Sequence, residues 1–461
     1  MTYAIESINN QSDLLSGVEL GYEIRNACDD EDIILWTMMT MTTSVGKYEY
    51  TETCPNQTRT NTGAVIGIVG PDRSTSSIIA AKAGRVVTVP IVSHYATSDE
   101  LSDFERFPFF FRTVPPDKFQ VKVIVDILQH FNWKYIALFY SLNSYGIHGA
   151  RQIIRLAEMY DICIAINLPV ASPASEREIA DIAQRLSEHD KVTVIVSFTQ
   201  WGGALAVLEA ARKLKASRTL TFIGSDAWNP TYFQLQAFAD VLVGGIFIQF
   251  HTELPDAFKE YYSELPKKQQ QATNYSFRFD ENGEVHGSYQ VNNWQIKNGA
   301  YDLINVGKWD SHQETHLNLE ENEIQWRIRD GKVPISLCNE ECKPGYIEVP
   351  LEKKCCWGCQ KCNDYAIVAN ENNAPVCQDC PVTEWPNDDF KACVPIQPSF
   401  ISYSNPVFIL SIAGAGLGLI LTALAAAGLC YYSEHSLIKA SSIELCCINL
   451  IGLGFSASPS L

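Results

Sequence analysis

Positive charge is scarce in this chain. Its 461 residues carry 35 lysines and arginines against 53 aspartates and glutamates, a net charge of −18. A phosphate backbone needs a basic face, so nucleic acid is excluded as the main partner. Catalytic signatures are missing as well. There is no HExxH and no GxSxG, and the nine histidines show no metal-ligand spacing. GAGLG (414–418) lacks the third glycine of a dinucleotide loop and has no strand before it, so it reads as close helix packing. No reaction, cofactor or resident metal is expected. Two further scarcities organise the chain. Only Cys28, Cys54 and Cys163 occur in the first 337 residues, and no charged side chain occurs from Ala392 to Ser433.

Nine of the fifteen cysteines fall between Cys338 and Cys393. Cys359–Cys362 and Cys377–Cys380 are two CxxC pairs, a spacing that fits either a zinc ribbon or a disulfide ladder. The stretch behind the island separates the two. Residues 407–432, VFILSIAGAGLGLILTALAAAGLCYY, are long enough to cross a hydrocarbon core of about 30 Å as a helix. A buried core helix rarely runs so long without a polar face. Beside such a span, a dense cysteine island reads as an extracellular stalk stapled by disulfides. Sequons at Asn10, Asn56 and Asn274 fit an extracellular, glycosylated side but arise often by chance.

Residues 64 to about 250 alternate apolar β-rich runs (AVIGIVG, VTVPIVS, KYIALFY, VTVIVSF, LTFIGS) with amphipathic stretches such as EREIADIAQRLSEH and GGALAVLEAARKL. That alternation implies α/β architecture with parallel sheets covered on both faces. Ligands in such folds bind beyond the carboxyl ends of strands, where SYG (144–146) and GSDAW (224–228) fall. From residue 274 the pattern changes to two-residue alternation, with a hairpin turn expected at Asn282-Gly283.

Taken in order, AIESINNQSDLLSGVELGYEI, VPIVSHYATSDELSD, FPFFFRTVPPD, FNWKYIALFYSLNSYG, DICIA, GSDAW, the nine cysteines and KASSIEL resemble the class C G-protein-coupled receptors, which include metabotropic glutamate and calcium-sensing receptors. The resemblance implies a bilobed, periplasmic-binding-protein-like Venus-flytrap over 1–333, then a nine-cysteine module over 338–393. It also implies a first transmembrane helix over 407–432, and an intracellular loop with a partial second helix over 433–461. It implies binding of an extracellular L-α-amino acid and transmission of trap closure to a plasma membrane. Ser74 and Thr97 would take the ligand carboxylate, Asp117 and Asp226 its ammonium, and Tyr145 would cover it from the second lobe. Each has a plainer role: Ser and Thr at strand ends cap helices, and Asp117 can cap the helix that follows it. Aspartate at 226 suits the glutamate-like branch better than the calcium-sensing one. The stretches that hold a distal carboxylate in glutamate receptors have no counterpart.

The resemblance further implies disulfides Cys163–Cys355, Cys338–Cys356, Cys342–Cys359, Cys362–Cys377 and Cys380–Cys393; arithmetic alone allows 105 pairings of eight cysteines. Cys54 would bridge two receptor chains as a homodimer or heterodimer through lobe one, or else bond locally to Cys28. Against the family pattern, the chain opens at the first helix of lobe one without signal peptide or first strand. It passes near 268–273 from lobe two to a late hairpin assigned to lobe one, omitting roughly a hundred residues. It stops soon after KASSIEL. A G protein is a partner only where the full seven-helix domain exists, and with one complete span these 461 residues would not signal alone. The alternative is a non-signalling, membrane-anchored decoy or dimer partner.

Overall fold

The computed structural model describes residues 2–11, 13–15, 17–28, 30–42, 65–214, 219–228, 237–251, 284–297, 299–327, 331–351, 356–371, 374–396, 405–440 and 442–457. The chain forms two compact units, one of Met1–Cys342 with Glu348–Cys359 and one of Lys343–Ile347 with Gln360–Leu461.

The first unit holds two lobes. Lobe one contains helices α1 (Thr2–Asn9) and α2 (Glu31–Thr42), strand β1 (Ile68–Val69), helix α3 (Ser74–Val87), and strands β2 (Ile91–Ser93) and β3 (Phe110–Arg112). The three strands pair in parallel in the order β1-β2-β3. Ile34 and Met38 of α2 meet Ile78 and Ala81 of α3 and Ile91 of β2 in one small core. Among the described residues of AVIGIVG, Ile68–Val69 are strand, and β2 is the partner of β1 among the described strands.

Lobe two runs α4 (Asp117–His130), β4 (Tyr135–Ser141), α5 (Ser144–Met159), β5 (Cys163–Val170), α6 (Glu176–Glu188), β6 (Val194–Phe198), α7 (Trp201–Lys213), β7 (Thr221–Gly224), α8 (Ala239–Leu242), β8 (Ile246–Phe250), β9 (Ser288–Lys297), β10 (Ala300–Asp310) and β11 (Leu317–Leu319). Its eight-stranded sheet has the order β11-β10-β9-β8-β7-β6-β4-β5. The strands from β5 to β8 are parallel, and β9 to β11 are antiparallel additions. Continuous apolar strands are what a sheet covered on both faces requires, and every residue of β6 is buried. One face packs Phe222, Trp228 and Trp294; the other packs Trp133, Tyr289 and Trp309. α6 opens on a capping box in which the Ser175 hydroxyl accepts from the Glu178 N–H and the Glu178 carboxylate accepts from the Ser175 N–H.

The late hairpin departs from expectation. Its described strands, β9 and β10, belong to lobe two, where β9 pairs with β8 along Ile246–Phe250. The reason is the burial of Tyr289, Val291, Trp294 and Trp309, which only the larger sheet can cover. β9 and β10 are joined by a tight turn of their own: Lys297 opposes Ala300, and Gly299 takes φ +79°. Asn282-Gly283 lies outside the described residues.

In the second unit, strands Ala366–Glu371 and Ala374–Asp379 form one hairpin, and Glu384–Pro386 with Cys393–Pro395 form another. Disulfides Cys362–Cys377 and Cys380–Cys393 staple them. A helix over Pro406–Tyr431 follows, opened by the Asn405 side chain accepting from the Val407 N–H at 2.9 Å. It is long and apolar enough to cross a membrane, and no residue on it is buried by protein. A shorter apolar helix, Ile443–Ala457, comes after it.

Candidate functional site

The five expected ligand residues converge where the two lobes face each other. α5 begins three residues beyond β4, with Asn143 capping it through a 3.1 Å bond from the Gly146 N–H. α5 lies close over the sheet because it carries glycine there: a Cβ on Gly149 would lie 2.2 Å from the Phe198 ring. That approach buries Tyr145, whose ring stacks on Phe198 at 4.6 Å between centroids. The Tyr145 hydroxyl donates to Asp226 Oδ1 at 2.6 Å. Asp226 follows β7, and its backbone N–H donates to Gln120 Oε1 at 3.3 Å.

Asp117 begins α4 but does not cap it: Pro116 is the cap residue and offers no side-chain bond. Both Asp117 carboxylate oxygens are buried and lack a hydrogen bond of ordinary geometry, the Thr97 side chain being the one hydrogen-bonding group that acts on them. Burial above all, then the charges of Asp226 and Asp99, push this carboxyl well above the usual carboxylate range, with Thr97 and Arg112 pulling the other way. Asp226 is also pushed up by burial, against the hydrogen bond from Tyr145. A buried anion without a well-formed hydrogen bond is costly, so the site is short of positive charge. The amide Nε2 of Gln120 and the hydroxyls of Ser225 and Tyr289 are likewise buried and unpartnered.

Ser74 and Thr97 meet through a loop. The Ser74 hydroxyl accepts from the Ser98 N–H at 3.1 Å, and the Thr97 carbonyl accepts from the Asp117 N–H at 2.9 Å. Ser74 thus braces the 96–98 loop instead of capping α3, whose cap residue is Arg73. Direct bonds join the lobes. Ser98 Oγ lies 3.0 Å from Ser144 Oγ, Ser144 donates to Glu100 Oε2 at 2.7 Å, and the Tyr95 hydroxyl donates to the Asp226 carbonyl at 3.0 Å.

Gln120, Tyr95, Arg112, Ser98 and Tyr289 were absent from the sequence-derived set. Gln120 was findable, since it sits one helical turn beyond Asp117. Tyr289 was not, because its neighbours come from distant strands.

The cysteine chemistry is oxidised. Cys338–Cys356, Cys342–Cys359, Cys362–Cys377 and Cys380–Cys393 are disulfides, the four pairs implied by the resemblance within the module. All four CxxC thiols are consumed in them, which removes the zinc-ribbon alternative. Cys338 and Cys356 are buried in the core of lobe two together with Cys163, and Cys163 Sγ lies 4.0 Å from Cys356 Sγ. Cys163 is itself disulfide-bonded; Cys355, the expected partner, lies outside the described residues. Cys54, Asn56 and Asn274 also lie outside them. Cys28 is an exposed free thiol and Asn10 is exposed.

Comparison with known proteins agrees with this architecture. A family profile described as "Receptor family ligand binding region" matches residues 1–278, and one described as "Nine Cysteines Domain of family 3 GPCR" matches 333–386. Metabotropic glutamate receptor 8 of Mus musculus and of Homo sapiens are each 24% identical over 98% of this chain and 61% of their own length. Metabotropic glutamate receptor 4 of Rattus norvegicus is 24% identical over 98% of this chain and 60% of its own. These alignments run to 558 or 559 positions against a chain of 461 residues, so the relatives carry additional segments inside the matched region. The chain spans about three fifths of the length of these curated relatives. A bilobed receptor ligand-binding region followed by a disulfide-stapled module and an apolar helix is a receptor, not an enzyme, architecture. The chain belongs to the class C G-protein-coupled receptor family.

Proposed function

We propose that this chain senses an extracellular L-α-amino acid between its lobes and passes trap closure through the cysteine module to a membrane-embedded region. The observation that carries the reading is the Asp117 carboxylate, buried without a well-formed hydrogen bond or a salt-bridge partner beside the Asp226–Tyr145 pair. An α-ammonium would supply the missing donors and the missing charge. Thr97, Ser74 and their loop would receive the α-carboxylate. The relatives are named as glutamate receptors, which makes L-glutamate one probe among several.

Support for transmission comes from Cys338 and Cys356, which are buried in the core of lobe two. Moving that lobe would move the first rung of the stapled module. Under this reading the lobes lie outside the plasma membrane, and a second copy or a related chain pairs through lobe one and Cys54.

The test is binding of L-glutamate, L-serine and L-alanine to membranes from cells expressing the full chain, beside an Asp117→Asn variant. Saturable binding that the variant loses by about tenfold or more supports the reading. Equal binding by both proteins, or none by the native chain, overturns it.

A further inference from the structure

The loop that carries Thr97 does not hold its shape unaided. Arg112 ends the three-residue strand β3 and is 1% exposed. Its Nη1 donates to three successive carbonyls, those of Ala96 at 3.3 Å, Thr97 at 2.9 Å and Ser98 at 3.0 Å. Its Nη2 donates to Ser102 Oγ at 2.5 Å and to Glu284 Oε1 at 2.8 Å. Glu284 is itself buried, and its other oxygen accepts from Lys118 Nζ at 2.8 Å. Arg112 belongs to lobe one, Lys118 to the first turn of α4, and Glu284 to the segment leading into β9 of lobe two.

In a trans peptide the N–H points opposite to the carbonyl of the same plane. Three carbonyls drawn to one guanidinium therefore turn the N–H groups of Thr97, Ser98 and Asp99 away from it. The Ser98 N–H is taken by Ser74 Oγ. A planar fork can hold such a set of oxygens at once, whereas a lysine ammonium on a flexible stem cannot reproduce it.

We infer that Arg112, fixed by Glu284, is the positioning residue that shapes the 96–98 loop into the receiver of the ligand carboxylate, and that the pair clasps the two lobes at their crossing. The inference rests on the amino-acid reading above and goes beyond it. Neither side chain touches ligand. Their effect passes through the loop backbone, so it is specific to ligands that bear a carboxylate.

The experiment compares Arg112→Lys and Glu284→Gln with the native full chain in membranes. The probes are L-glutamate, L-serine and L-alanine, each beside its α-carboxamide. Arg112→Lys is expected to weaken the acids about tenfold while leaving the amides within about threefold, so the acid-to-amide preference collapses. Glu284→Gln shifts the same ratio in the same direction by a few-fold. Should Arg112→Lys fail to fold, the ratio measured for Glu284→Gln decides. An unchanged ratio in the folded variants, or equal losses of acid and amide, overturns the inference. Absence of any binding by the native chain instead overturns the amino-acid reading, and this inference falls with it.

Discussion

The Tyr145 hydroxyl donates to Asp226 Oδ1 at 2.6 Å, from a ring stacked 4.6 Å above Phe198. The tyrosine is thus held by its face and the aspartate by the tyrosine. Both belong to lobe two, so this edge of the cleft is built within a single lobe. Tyr145→Phe keeps the stack and removes only the donor to a carboxylate. Affinity for amino acid is expected to fall about tenfold with little change in melting temperature. Unchanged affinity in the folded variant would count against a role for this bond.

The carboxyl of Asp117 is pushed up by burial and by Asp226 and Asp99. Without ligand, the folded state binds a proton more tightly than the unfolded chain. Its stabilising contribution is therefore present in acid and is lost as pH rises from the ordinary carboxylate range through the raised value. An ammonium ligand favours the ionised form, so binding releases a proton. Affinity is expected to rise with pH above the ordinary carboxylate range, and to rise less in Asp117→Asn. Titration calorimetry in buffers of different ionisation enthalpy reads the proton directly; a proton taken up on binding would contradict the assignment.

Gly149 faces Phe198 with no room for a methyl group. Gly149→Ala must push the ring or α5 away, which is expected to cost about 1–3 kcal/mol of stability and to loosen Tyr145. Thermal unfolding of the detergent-solubilised chain measures the cost. Loss of ligand affinity beyond that of Tyr145→Phe would locate the damage in the stack.

In the second unit, Cys362–Cys377 closes a loop of separation 15. Replacing both cysteines with serine is expected to cost about 3 kcal/mol and to expose the hairpin 366–379 to proteases. Limited proteolysis under non-reducing conditions tests it. Equal resistance of variant and native chain would mean that strand pairing alone holds the hairpin.

Much of this molecule was legible residue by residue. The strands KYIALFY, VTVIVSF and LTFIGS and the helices at 176–188 and 201–213 announce themselves by periodicity, because burial on two faces or one is written directly in apolar spacing. SYG and GSDAW were placeable at strand ends for the same reason. The sequence Asn298-Gly299 carries a strong turn signal between β9 and β10, whose Lys297 and Ala300 pair, and it was passed over in favour of Asn282-Gly283. Asp117 read equally well as a helix cap, since capping and ligand binding ask for the same residue type after a strand.

Sequence alone determined the α/β alternation, the cysteine-dense island and the uncharged apolar run, because each depends on local composition and period. Tertiary structure decided the rest. It put β9 and β10 on lobe two, left the Asp117 carboxylate buried without a well-formed hydrogen bond, and drew Arg112 to three carbonyls and to Glu284, 172 residues away. Those relations depend on which distant segments share one buried volume, where an unpaired charge is costly and a paired one sets geometry. No spacing along the chain encodes that.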